Sequence, residues 1–419
     1  MRYDFDEKVE RRGSGCVKFD APQVRPDQIP LWVADMDFRT PDFILDALRA
    51  RIDHPVMGYA MIPENYFEII RQWVRNLHGW EVPTSWMRYI PGIVRGMGMV
   101  LGAFCKPGDK VIILSPVYHP FRLVPEKNGF EVLRSPLVPI YDDEGFLEIY
   151  KIDFKNLDSL ASDPSAKVLI LSNPHNPCGI VWDEEQLCEL SRICRRHGVL
   201  VVSDEIHAEM VLNGGRHIPF ATVSEDAASN SITFMAPSKT FNIAGIVSSF
   251  TVVPDPSIRE RFFSYLDANE FDAPSIFSME ATVAAYSQGG EWREQMLNYV
   301  WGNACYVDER LRKDIPSIHC VLPQASFLVW LDCRRLGLSQ TELVTLFEDK
   351  AGLYLNDGSM FGPEGEGFMR LNIGCPRSTL AEALDRLMFA LRQDDRTASR
   401  NDSDACTEGF TEMIGRIPH

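Results

Sequence analysis

The sequence predicts an α/β protein: a large domain with a mostly parallel sheet sandwiched by helices, and a smaller α+β domain. Three observations support this class: the length of 419 residues, a series of short apolar runs between residues 110 and 254, and helical patterns between those runs. Continuous apolar runs are typical of strands covered on both faces, as in a parallel sheet. At roughly 150 residues per domain, this length suggests two or three domains.

Five apolar runs are the predicted strands of the large domain. A helical pattern lies between the second and third runs, with Asp183 as its predicted N-cap and Gly198 just after its end. A strand, a helix and a strand in this order form a right-handed crossover between parallel strands. The runs are VIILSP (111–116), VLILSNP (168–174), VLVVSDEIH (199–207), ITFMAPS (232–238) and VSSFTVV (247–253).

The flanking segments predict the domain boundaries. Thr40 is expected to cap a helix in which Pro41 is the first residue. FLVWLDC (327–333) and FMRLNIG (368–374) are predicted strands of the smaller domain. The chain is predicted to divide into an N-terminal segment that joins the small domain (1–48), a large domain (49–286), a C-terminal small domain (287–392) and a polar, mobile tail (393–419).

Composition excludes several classes of partner. The chain has 42 Lys and Arg against 59 Asp and Glu, a net charge of −17, which argues against a nucleic-acid-binding surface. The longest uncharged run, 315–331, is interrupted by prolines and polar residues, so we expect no membrane segment. The N-terminus lacks the apolar core of a signal peptide. Ten scattered cysteines without a CxxC pair predict a cytoplasmic protein with neither disulfides nor a metal site.

Polar residues follow three of the predicted strands, where ligands of open α/β sheets bind. These residues include Asn176 after the second run, Asp204 and His207 in the third, and Lys239 directly after the fourth. A lysine can form a Schiff base with an aldehyde cofactor, and pyridoxal phosphate (PLP) also needs an acid at its ring nitrogen. Asp204 is the candidate acid, and Asn176 could donate to the phenolic oxygen. Each residue alone also fits an ordinary solvated or turn-forming role.

The segment beginning IPGIVRGMG (90–98) is a candidate phosphate site. A helix that starts after Gly92 would offer the free backbone N–H groups of Gly92, Ile93 and Val94 to an anion. The alternative is a tightly packed helix in which Gly and Met allow close approach. The glycine-rich motifs of NAD and ATP sites are absent from the sequence.

Six segments, in order along residues 1–392, resemble one known family. Together they resemble fold-type-I PLP-dependent enzymes of the class I/II aminotransferase superfamily, and within it the MalY/PatB-like cystathionine β-lyase, or cysteine carbon–sulfur lyase, branch. The resemblance implies the PLP-dependent transferase fold type I, PLP as cofactor and a homodimer with shared active sites. The segments are IPLWVADMDF (29–38), SPVYHPF (115–121), SNPHNPCGIVW (172–182), SDEIHAEMVL (203–212), APSKTFNIAG (236–245) and MRLNIGCPR (369–377).

The resemblance also implies a role for each candidate residue. Lys239 would hold the cofactor and later move the Cα proton of the substrate, with Asp204 at the pyridinium and Asn176 at the phenolic oxygen. Arg370 would clamp the substrate carboxylate through its two-pronged geometry. The remaining implied contacts are stacking by Tyr118, phosphate binding by Ser238, by the Ile93 and Val94 backbone and by Tyr59 of a second subunit, and a branch-specific His207 near the cofactor.

Two departures and several alternatives stand beside these roles. Val247 occupies a position where many relatives outside this branch carry a phosphate-binding Arg, and Ala236 one where Ser is frequent, so we expect weaker cofactor binding. Tyr59 could be a packing aromatic and Tyr118 a loop anchor. Arg370 could lie on the polar face of a strand, and His207 could be satisfied by backbone.

The predicted activity is β-elimination of cystathionine or other S-substituted L-cysteines to a thiol, pyruvate and ammonia. An aminotransferase that moves the amino group to a 2-oxo acid shares the early chemistry and is the first alternative. A zinc deaminase is a second, because His207-x-Glu209 matches half of its signature, but the required Pro-Cys-x-x-Cys is absent. An inactive binding protein on the same fold is the third, and the presence of Lys239, Asp204, Asn176 and Arg370 argues against it.

Overall fold

A computed structural model describes residues 2–393. The polar tail predicted for 393–419 therefore lies outside the described residues, apart from its first residue. The strands are β1 (Ile29–Pro30), β2 (Met87–Ile90), β3 (Lys110–Ser115), β4 (Glu131–Pro136), β5 (Val138–Tyr141), β6 (Leu147–Lys151), β7 (Ala166–Ser172), β8 (Leu200–Asp204), β9 (Ser231–Met235), β10 (Ser249–Val252), β11 (His319–Val321), β12 (Leu328–Asp332), β13 (Leu353–Tyr354), β14 (Asn356–Asp357) and β15 (Phe368–Asn372).

Helices cover both faces of the central sheet. They are α1 (Val17–Asp20), α2 (Asp42–Asp53), α3 (Tyr66–His78), α4 (Ile93–Phe104), α5 (Pro120–Lys127), α6 (Phe154–Ala161), α7 (Glu184–His197), α8 (Glu225–Ala228), α9 (Pro256–Ala268), α10 (Ile276–Gln288), α11 (Gly290–Asp314), α12 (Gln340–Thr345) and α13 (377–393). Within residues 2–393, no helix is long and apolar enough to cross a membrane.

The central sheet has seven strands in the order β2-β10-β9-β8-β7-β3-β4. All five predicted strands are present in it, which confirms the α/β class. The pairs from β9 to β4 are parallel, whereas β10 is antiparallel to both of its neighbours. The fifth run thus departs from the parallel pattern, because residues 236–248 hold only a short 3-10 turn (Ala244–Ile246) and no crossover helix.

The crossover between β7 and β8 forms as predicted. The Asp183 carboxylate accepts a hydrogen bond from the Gln186 N–H at 2.7 Å, and Gly198 ends α7 with a φ of 70°. In the resulting register Ser172 pairs with Asp204. The polar ends of neighbouring strands therefore meet at one edge of the sheet.

A second sheet, in the order β11-β12-β15-β14, carries Arg370 on β15. The N-terminal segment contacts this part of the chain, because β1 pairs in parallel with β13. The domain boundaries themselves stay a prediction. The start of α2 corrects the predicted cap: Pro41 is the N-cap, and the Thr40 hydroxyl instead donates to the Asn242 carbonyl at 3.2 Å.

Candidate active site

Lys239 lies in the turn that follows β9, at the carboxyl edge of the central sheet. Its Nζ donates a hydrogen bond to the Ala34 carbonyl at 2.5 Å. Burial, together with the Arg370 charge, lowers the Lys239 pKa to about 8 against the opposing effects of Asp35 and Asp204. A larger share of the amine is therefore neutral near pH 7 than in an exposed lysine.

Asp204 is the last residue of β8 and is buried. Burial, with a smaller contribution from the Glu205 charge, raises its pKa to about 7. The Ile206 N–H, which donates to Asp204 Oδ1 at 3.0 Å, and the Lys239 charge oppose this shift. A buried acid whose pKa is raised in this way becomes a stable carboxylate when a cation lies beside it.

Arg370 is a buried cation whose partners are all neutral. Its guanidinium donates to Asn176 Oδ1 at 3.0 Å, to Asn356 Oδ1 at 2.5 Å and to the Trp32 carbonyl at 2.9 Å. Its Nε has no partner, and no carboxylate of residues 2–393 forms an ion pair with it. Burial lowers its pKa to about 10. Because a buried charge normally requires a counter-ion, this group fits an anionic ligand.

The loop residues around these three groups also meet at this edge. The Tyr118 N–H donates to the Asn176 carbonyl at 3.0 Å, which places Tyr118 beside the Arg370 contact. His207 is buried near Phe327 with its Nδ1 unpartnered, and burial lowers its pKa to about 3, so the imidazole is neutral. The structure thus brings Tyr118, Asn176 and His207 together with Lys239, Asp204 and Arg370.

The predicted phosphate site lies at the start of α4. Gly92 precedes the helix with a φ of 103°, a conformation that favours glycine, and leaves the first N–H groups of the helix, including those of Ile93 and Val94, outside its hydrogen-bond ladder. Val247, in the loop after Lys239, has its Cγ1 3.5 Å from where a Gly92 side chain would begin. The helix start therefore lies beside the loop that carries Ser238, which is buried.

Tyr59 is the one predicted site residue that a single chain does not bring to this edge. Its side chain is completely exposed, and the other residues of 54–62 are exposed to a lesser degree. Met61 is largely exposed there, and Met57 is about half exposed.

The sequence reasoning missed a set of contacts made by the strap, which we define as residues 32–38. The Asn242 side chain bonds the strap backbone at Met36 N, Met36 O and Phe38 O at 2.8–3.0 Å. Asn372 donates to the carbonyls of Val33 and Asp35 at 2.6 and 2.7 Å. The available signal was positional: Asn242 follows Lys239, and Asn372 follows Arg370, at spacings of three and two residues.

A partly buried amine, a buried acid and a buried guanidinium without a counter-ion fit PLP together with an amino-acid carboxylate. The family model for aminotransferase class I and II matches residues 58–387. The chain belongs to this family. The predicted superfamily is thereby confirmed.

Individual members of the family match along almost the whole chain. Cystathionine beta-lyase PatB of Bacillus subtilis (strain 168) is 41% identical over 93% of this chain and 100% of its own length. Cystalysin of Treponema denticola, solved with pyridoxal 5'-phosphate, has a TM-score of 0.88 at 33% identity, covering 94% of this chain and 100% of its own. The PLP-bound C–S lyase of Staphylococcus hominis has a TM-score of 0.86 at 31% identity, covering 93% and 98%. These matches confirm the predicted branch and fold.

Proposed function

We propose that this protein is a PLP-dependent carbon–sulfur β-lyase that cleaves cystathionine or other S-substituted L-cysteines to a thiol, pyruvate and ammonia. The observation that carries the proposal is the 41% identity to cystathionine beta-lyase PatB along the whole of that enzyme. The chemistry of the buried site supports it, because a lysine, an acid and a carboxylate-binding arginine are what such a reaction requires.

The cofactor would be held by residues at the edge of the central sheet. Asp204 would keep a proton at the ring nitrogen, since burial already favours an arrangement in which this carboxyl shares a proton or faces a cation. Asn176 would donate to the phenolic oxygen and Tyr118 would cover the ring. Ser238 and the Ile93 and Val94 N–H groups at the start of α4 would bind the phosphate. Bound PLP supplies an electron sink for the carbanion formed at the substrate Cα.

The substrate would be oriented by Arg370 and deprotonated by Lys239. Arg370 exchanges neutral oxygen partners for a carboxylate, and Asn176, already bonded to it at 3.0 Å, fixes the guanidinium plane. Lys239 takes the proton from Cα, because its lowered pKa leaves an amine able to accept it near neutral pH. The neutral His207 and the buried Phe327 beside it would help to exclude water from the site.

The assembly and location are part of the same proposal. Tyr59 would reach the phosphate of a second subunit in a homodimer, which is consistent with its complete exposure in one chain. Every described cysteine is a free thiol, which supports a reducing, cytoplasmic location. The expected partner is a small-molecule amino-acid substrate, and neither nucleic acid nor a membrane.

The test is a spectrum followed by a product assay. Purified protein is expected to carry a visible PLP absorption band that Lys239→Ala abolishes and that Lys151→Ala, a change at an exposed lysine on β6, leaves intact. Cystathionine should then yield pyruvate, measured by coupled reduction with lactate dehydrogenase. A colourless protein that PLP cannot reconstitute would refute the cofactor. Amino transfer to a 2-oxo acid without pyruvate would refute the lyase reaction.

A further inference from the structure

Four charged side chains form a compact cluster against the strap. Arg11 pairs with Asp35 at 2.8 Å and with Asp37 at 2.6 Å. Lys18 pairs with Asp37 at 2.9 Å and lies 3.9 Å from Asp35. The Lys18 side chain is completely buried, and the other three are at most one quarter exposed. Two cations thus neutralise two carboxylates inside the protein.

The cluster is joined to Lys239 through one residue of the strap. Ala34, whose carbonyl accepts the Lys239 hydrogen bond at 2.5 Å, directly precedes Asp35. Lys18 Nζ also donates to the Asp35 carbonyl at 3.3 Å, and Arg11 donates to the Met36 carbonyl at 3.2 Å. The cations therefore hold the backbone on the carboxyl side of the Ala34 contact.

Charged groups face Lys239 from three parts of the chain. Asp35 comes from the strap, Asp204 from the end of β8 and Arg370 from β15, while the neutral His207 lies in the turn after β8. Asp35 and Asp204 favour the protonated lysine, and Arg370 disfavours it. Arg11 and Lys18, which precede the strap in the N-terminal segment, contact the Asp35 carboxylate.

We propose that Arg11 and Lys18 are positioning residues for Lys239: they fix the strap against the lysine and neutralise Asp35, so that its charge does not hold the proton on the amine. This role rests on the proposed function of Lys239. It explains why two cations are kept in a buried cluster, where burial is costly unless each charge is paired.

Removing a cation and removing an anion from the cluster should shift the pH at which the Lys239 nitrogen loses its proton in opposite directions. Arg11→Gln removes a cation beside Asp35, so the Lys239 nitrogen should keep its proton to higher pH. Asp35→Asn removes the anion and leaves the cations, so the proton should be lost at lower pH. The double variant Arg11→Gln/Asp35→Asn should return close to the wild type. If the cluster were merely structural, both single variants would be less stable, but the pH at which the Lys239 nitrogen loses its proton would not move in opposite directions.

The experiment is a pH titration of the visible absorption band of the purified holoprotein, accompanied by the pH profile of kcat/KM. We expect the midpoint to rise by about half a pH unit to one unit in Arg11→Gln and to fall by about as much in Asp35→Asn. Arg11→Lys should restore the wild-type midpoint. Arg25→Gln, which breaks an exposed pair with Asp349 at 2.8 Å in the same N-terminal segment, is the matched control and should not shift it.

Shifts in the same direction, or no shift in either single variant, would overturn the proposal. If Arg11→Gln does not fold, the downward shift in Asp35→Asn and its cancellation in the double variant decide the matter alone. Failure of the proposed function is recognised separately. A band that survives Lys239→Ala removes Lys239 from the cofactor site, whereas a change in reaction products alone leaves the midpoint prediction intact.

Discussion

The floor and the roof of the candidate site are built in different ways. The floor consists of side chains at the ends of neighbouring parallel strands and the loops that follow them: Asn176 after β7, Asp204 on β8 and Lys239 after β9. The roof consists of the strap and residues of the second sheet, and much of it is backbone: Lys239 bonds the carbonyl of Ala34, 205 residues away. The floor therefore supplies reactive groups from the ends of consecutive strands. The roof orients these groups through contacts between residues that are far apart in the sequence.

Removing the roof cation should have the largest effect while leaving the floor intact. Arg370→Ala is expected to lower kcat/KM by roughly 100- to 1,000-fold, because it removes a buried charged partner of the substrate carboxylate. The visible PLP band should persist, since Lys239 and Asp204 are unchanged. Arg370→Lys, which keeps the charge but not the planar fork, should recover only part of the activity. Loss of the band in Arg370→Ala would mean that the floor does not hold the cofactor independently.

The difference between floor and roof also explains what the sequence could predict. Asp204 and Lys239 were predicted because Asp204 lies near the end of one strand-forming apolar run and Lys239 directly follows another, and parallel strands end at one edge. The antiparallel direction of β10 was not predicted, because an apolar run gives no direction. The Ala34 carbonyl was missed because every residue type carries a carbonyl, so no side-chain pattern marks this contact.

Low pH should destabilise the folded protein through the buried imidazoles of the floor. Burial lowers the pKa of His175 to about 4 and of His207 to about 3, whereas an unfolded histidine titrates near 6.5. Between these values the unfolded chain binds protons that the folded chain does not, so stability falls as the pH drops. Each imidazole should cost about 1–2 kcal/mol of unfolding free energy at pH 5.

Urea unfolding at pH 7 and pH 5 measures this loss. His175→Gln should lose less stability than the wild type on going from pH 7 to pH 5, because one of the titrating groups is gone. His54→Gln, at an exposed histidine, should behave like the wild type. An unchanged pH dependence in His175→Gln would show that this buried imidazole is not a source of acid sensitivity.

Weakening the hydrogen bonds that hold the strap should have the smallest effect on activity. The change should be confined to the roof and leave the floor intact. Asn242→Asp keeps the oxygen that accepts from Met36 N but loses the two hydrogen bonds donated to the Met36 and Phe38 carbonyls. Asp tolerates the positive φ of 55° at this position, so backbone strain does not confuse the comparison with Asn. We expect a loss of about 1–2 kcal/mol in unfolding free energy and a severalfold higher KM, with the PLP band retained.

Asn242→Ala, which removes all three hydrogen bonds and also places an alanine at the positive φ of 55°, should destabilise the protein more than Asn242→Asp does. If both variants match the wild type in KM and in stability, the strap is not held to the site through Asn242.

Tyr59 belongs to neither the floor nor the roof of one chain, because its proposed contact lies in another subunit. Its complete exposure is nevertheless unusual for a tyrosine flanked by apolar residues, and it agrees with the predicted shared site.

The most direct test of the central claim is to identify the residue that holds the cofactor. Sodium borohydride treatment of the purified holoprotein, followed by proteolysis and mass spectrometry, fixes PLP to the amine that carries it. If Lys239 holds the cofactor, a single modified peptide that contains Lys239 is expected. Modification of a different lysine, or no modification in protein that has been incubated with PLP, would contradict it.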